Sequence, residues 1–168
     1  MSGRRYNSAV GTPRKVMSPR KGAAMLFKNE TSSLKLEIVS YELPPGEGDP
    51  QSDDRNWLML RATWNDGGEI VKDSNCCLLT YELQELTAGL KVLNAGIREA
   101  YRSEFSEPYF SLTARADGDA FTVSVSFYLP NIMYGDDTAE VTCAMDKAQM
   151  RALLDELSAL CAKFPDRP

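Results

Sequence analysis

Phe121, Val123, Val125, Phe127 and Leu129 alternate with Thr122, Ser124, Ser126 and Tyr128 without a break. No other stretch of the chain restricts the fold so tightly. A period of two puts apolar side chains on one face of an extended strand and polar ones on the other, so one face must be covered while the other can meet water. Such a strand also needs neighbours for its backbone. Asp117-Gly118, just ahead of it, is a strong hairpin turn that joins it to residues 109–116, where Phe110, Leu112 and Ala114 are in phase. Beyond a loop from Pro130 to Asp137, Ala139, Val141, Cys143 and Met145 resume the alternation, with Glu140 and Thr142 outward.

The first half of the chain repeats this pattern less cleanly. Leu34, Leu36 and Ile38 alternate with Lys35 and Glu37, after which Val39, Tyr41 and Leu43 take the opposite phase, which predicts a bulge near Val39. A loop rich in Pro, Gly and acid runs from Pro44 to Asp54. Residues 56–65 form a second strand through Leu58, Leu60, Ala62 and Trp64. Asp66-Gly67-Gly68 then turns the chain into a short third strand, Glu69 to Lys72.

Two stretches carry the helical period instead. Leu79, Leu83, Leu86, Leu90, Leu93 and Ile97 make one stripe, and Asn94-Ala95-Gly96 supplies a left-handed stop that leaves Ile97 just beyond it. Asp146 with Gln149 offers a capping box for a second helix, whose stripe is Met150, Leu153, Leu154, Leu157, Leu160, Cys161 and Phe164. Pro165 ends it. The order is β-β-β-α-β-β-β-α. It predicts a single α+β domain over residues 25–168, a mainly antiparallel sheet of about six strands with both helices on one face.

Charge is divided along the chain. Residues 1–24 hold six cations and no acid, whereas residues 25–168 hold 13 basic against 24 acidic residues, a net of −11 within a total of −5. The leader has no apolar period and reads as disordered, either an upstream extension ahead of Met25 or a spacer. Its twin arginines invite an export reading, but Ala23 to Phe27 is too short for the apolar core of a signal peptide. A body this acidic repels nucleic acid and anionic lipid and attracts cationic partners. Its acids concentrate in two loops, at Glu47, Asp49, Asp53 and Asp54 and at Asp136 and Asp137, the latter beside Tyr134. These seven residues are the candidate partner contacts. Solvated loop charge is the competing account of the acids.

Chemistry has little to work with. Histidine is absent, which removes the commonest general base and metal ligand and every Ser-His or Cys-His pair. The cysteines, at 76, 77, 143 and 161, lack a C-x-x-C spacing, and Cys143 and Cys161 fall on apolar stripes. In an extended segment Cys76 and Cys77 point to opposite faces, one to the core and one to the surface. Unpaired thiols fit a reducing cytoplasm. Neither Asp53-Asp54 nor Asp136-Asp137 has calcium-loop spacing. No catalytic residue, metal or cofactor is expected. Trp57, Met59, Tyr128 and Tyr134 are soft or aromatic residues expected on outward faces.

Several stretches in order carry a resemblance. They are Asn56-Trp57-Leu58, the C-L-L-T-Y-E-L-x-E-L run over residues 77–86, E-P-Y-F-S-L over residues 107–112, and Lys163-Phe164-Pro165 after a helix. Together they resemble the WapI-type family of bacterial immunity proteins. The resemblance implies neutralisation of a secreted, contact-dependent toxin whose C-terminal domain is often a nuclease acting on RNA, by binding and without catalysis. It implies no functional residues. The acidic body agrees independently, since a nuclease must present cations to phosphates. Two rivals stay open: a scaffold domain that binds a small ligand or another protein, and an enzyme using carboxylates or a cysteine.

Overall fold

The structure is a computed structural model that describes residues 23–129 and 138–168. Strands β1 (Ala24–Lys28), β2 (Ser32–Tyr41), β3 (Trp57–Asp66) and β4 (Glu69–Leu79) form one antiparallel meander in chain order. Helix α1 (Thr80–Asn94) follows. A second meander contains β5 (Ala100–Arg102), β6 (Phe110–Asp117), β7 (Ala120–Tyr128) and β8 (Thr138–Asp146), and helix α2 (Lys147–Lys163) comes last.

The α+β class is as expected, but the single sheet of about six strands is not. There are eight strands in two four-stranded sheets. Two strands escaped the periodicity. β1 is only five residues long, though Met25 and Phe27 within it are fully buried. β5 has three residues, only one of which turns inward. The partition follows chain order. Each meander is built from neighbours in the chain, and α1, 15 residues long, stands between β4, the edge of the first sheet, and β5, the edge of the second. The helices pack on each other, α1 also touching β4, β5 and β6, and α2 touching β1, β7 and β8. One continuous core spans both sheets and both helices.

Details of the register bear on the functional surface. The pairing of β2 with β3 shifts between Ile38 and Ser40, which leaves Val39 on the surface and swings Tyr41 opposite the buried Leu58. β4 is longer than the predicted short strand, because Asp73, Ser74 and Asn75 pair with Ala62, Arg61 and Leu60 despite their poor strand propensity. A second shift, at Leu58/Met59, places Cys77 in a bulge.

Both helices end as their sequences dictate. Asp146 Oδ1 accepts from Gln149 N at 2.8 Å, and Gln149 Oε1 accepts from Asp146 N at 2.8 Å, a closed capping box. At the far end of α1, Gly96 N donates to Leu93 O and Ile97 N to Val92 O, with Gly96 at φ +74°. This is a Schellman stop, and it expels Ile97 to solvent. Gly89 within α1 serves a different end: a methyl at its position would come 2.2 Å from the ring of Tyr101. Gly89→Ala is expected to lower stability by about 1–2 kcal/mol, despite the better helix propensity of alanine, because β5 must shift to make room. Urea denaturation measures the change.

Candidate partner-binding surface

The loop between β2 and β3 brings together four of the candidate contacts, Glu47, Asp49, Asp53 and Asp54, all exposed. Tyr134, Asp136 and Asp137 lie outside the described residues. The β2–β3 loop is built by its own polar groups. Asp49 Oδ1 accepts from Gln51 N at 2.9 Å, and Asp54 Oδ2 accepts from Asp49 N at 3.3 Å. Ser52 caps a single 3-10 turn, Asp53–Asn56, by accepting from Asp54 N at 3.2 Å. Arg55 turns back into the loop, its Nε donating to Gly48 O at 3.0 Å. Gly48 has φ +89° and lies so close to Leu43 and Asp54 that a Cβ would come within 2.8 Å of Leu43 Cδ1, so the close turn requires glycine.

The electrostatic result is uneven. Among the described residues the only ion pairs are Lys35–Glu37 at 3.3 Å and Arg61–Glu37 at 3.2 Å, on the outer face of the first sheet. Partial burial works against ionisation of Glu37, but the hydrogen bonds from Arg61 and Lys35 outweigh it and hold its pKa below the ordinary value. That contribution to stability is present above the usual carboxylate range and is lost as pH falls through it. The four carboxylates of the loop have no such partner. Arg55, the nearest cation in sequence, is engaged with the backbone oxygens of Gly48, Pro168 and Gly46 instead.

The aromatic and soft side chains divide. Trp57 and Met59 are half-buried, and Tyr128 is exposed, with its ring edge-on to Tyr109 at 5.3 Å. Cys76 lies on the outer face against Met59, its Sγ 3.9 Å from Met59 Sδ, while Cys77 is fully buried. Burial raises the pKa of Cys76, with help from Glu42. Burial, together with Cys76, Glu107 and Glu82, pushes Cys77 up to about 12. Burial also raises Cys143, although the Lys28 backbone opposes it. These thiols are poor nucleophiles at neutral pH. In the native protein Cys77 is expected to escape iodoacetamide for hours and to be alkylated promptly in urea, as read by mass spectrometry. No group of three or more His, Cys, Asp or Glu among the described residues could hold a metal ion.

One acid has a role for which the sequence carries no signal. Glu82, in the first turn of α1, is 2% exposed, yet both its carboxylate oxygens are engaged: Oε2 accepts from Leu79 N at 2.9 Å and Oε1 from Ser106 N at 2.6 Å. It caps a helix whose preceding residue, a leucine, has no oxygen to do so, and it ties that helix to the β5–β6 loop. The role is structural. No helix among the described residues is long and apolar enough to cross a membrane.

Comparison with known proteins yields one family. A model described as the immunity protein WapI-like family matches residues 25–165. No curated protein matches. Among the solved structures that match, two are similar at low identity. Crystal structures of MRP1/MRP2 from Trypanosoma bruciei match at 15% identity and a TM-score of 0.46, covering 87% of this chain and 88% of that one. WHY3 from Arabidopsis thaliana matches at 17% identity and a TM-score of 0.42, covering 88% and 90%. At these values the likeness says nothing about what the chain binds.

Proposed function

The chain belongs to the immunity protein WapI-like family, and from that premise we propose that it neutralises a cationic toxin domain by covering it with the acidic loop between β2 and β3. The action is binding, without catalysis, in the cytoplasm of the cell it protects. The folded unit that binds is residues 25–168.

One observation supports this reading above the others. Four exposed carboxylates sit on an internally bonded loop with no ion partner among the described residues. Like charges held together in this way repel one another, and a partner bearing Lys or Arg relieves that repulsion. A nuclease acting on RNA has such residues where it receives phosphates. Steering by the net charge of the body speeds the encounter, and the ordered loop supplies pairing at contact.

Co-expression with the toxin domain encoded beside this gene tests the proposal. The expected result is survival of the host and co-purification of the two proteins. Death of the host despite soluble expression of this chain would count against it.

A further inference from the structure

Every residue from 44 to 54 is exposed. No apolar burial holds this loop, so its order must come from polar contacts and from its two stems. The C-terminal segment, Phe164–Pro168, grips both stems. On the β2 side, the buried Phe164 packs edge-on against Tyr41 at 5.4 Å, and Tyr41 Oη donates to Pro165 O. The Arg167 guanidinium lies 3.4 Å from the centre of the Tyr41 ring, and its Nη1 donates to Leu43 O at 2.9 Å. On the β3 side, the Asn56 carboxamide takes the Arg167 backbone at two points. Its Oδ1 accepts from Arg167 N at 2.7 Å, and its Nδ2 donates to Arg167 O at 3.1 Å. Arg55 joins segment and loop through one guanidinium, donating to Gly48 O, Gly46 O and Pro168 O.

We infer that Phe164–Pro168 is a clasp that holds the acidic loop in one conformation, with Arg167 as the positioning residue that bridges its two stems. Only the consequence for binding rests on the acidic-loop reading above. The physical reason is entropic. A loop ordered before contact has less freedom to lose on association, and a loop held only at its stems depends on whatever pins the stems together. Arg167 is suited to this because a planar guanidinium stacks on tyrosine and donates in its own plane at once.

Hydrogen exchange of the full-length protein tests the clasp without any partner. Amides of Asp49, Gln51, Ser52 and Asp54 are hydrogen-bonded within the loop and serve as reporters. In Arg167→Ala they are expected to exchange about tenfold faster, with the urea midpoint falling by no more than the same tenfold change in the unfolding equilibrium. Arg167→Lys, which keeps a cation over the ring but lacks the fork, should fall between. Loop exchange equal to wild type in Arg167→Ala would overturn the clasp. So would faster exchange in β7 and α2 without faster exchange in the loop, which signals general destabilisation. Association with the neighbouring toxin domain separates the two claims. Faster loop exchange with an unaltered association rate leaves the clasp standing and counts against the acidic loop as the contact.

Discussion

Glu82→Ala unfolds at a clearly lower urea concentration than wild type, losing about 3 kcal/mol of stability. The number follows from what the carboxylate does. It is the acceptor for two backbone N–H groups, Leu79 N at 2.9 Å and Ser106 N at 2.6 Å, in a site where the residue is 2% exposed. Alanine leaves both donors without an acceptor and opens a small void at the N-terminus of α1, where a negative charge also favours the helix dipole. Glu82→Gln supplies the control. Its single carbonyl oxygen can serve one donor, while its amide nitrogen faces the other, so about half the loss should return. A loss below about 0.5 kcal/mol in Glu82→Ala would mean that the β5–β6 loop rearranges to satisfy Ser106 by itself.

Reversing Asp53 and Asp54 to lysine acts on the opposite property, with little effect on stability. Both residues are exposed and make no ion pair among the described residues. The double variant should associate with a cationic toxin domain roughly 10- to 100-fold more slowly at low salt, with the gap narrowing as ionic strength rises. Stopped-flow association across a salt series reads both effects. Asp54 also accepts from Asp49 N, so Asp54→Asn with Asp53→Asn, which preserves an acceptor there, separates lost charge from lost loop structure. An unchanged rate in both variants would place the contact surface elsewhere.

What could be read from the sequence was local. The alternation of β7 needs only its own residues and appears intact as Phe121, Val123, Val125 and Phe127 facing the core. The capping box at Asp146 and the glycine stop at Gly96 involve partners three to five residues away. The grouping of Glu47, Asp49, Asp53 and Asp54 was equally visible, since one short loop contains them. The bulge near Val39 announced itself as a change of phase.

The rest depended on contacts between distant residues. β1 exists as a strand because β2 pairs with it and the core takes Met25 and Phe27, not because five residues carry a strong pattern. The burial of Glu82 requires Ser106, 24 residues away. The clasp requires Arg167 to meet Leu43 and Asn56 across 124 and 111 residues. By itself the sequence determined both helices, six of the eight strands and where the negative charge would gather, because periodicity, turns and caps act over a few residues. Only the tertiary structure decided that the strands divide into two sheets and that the chain's last residues brace its acidic loop, because those outcomes turn on which distant surfaces pack together.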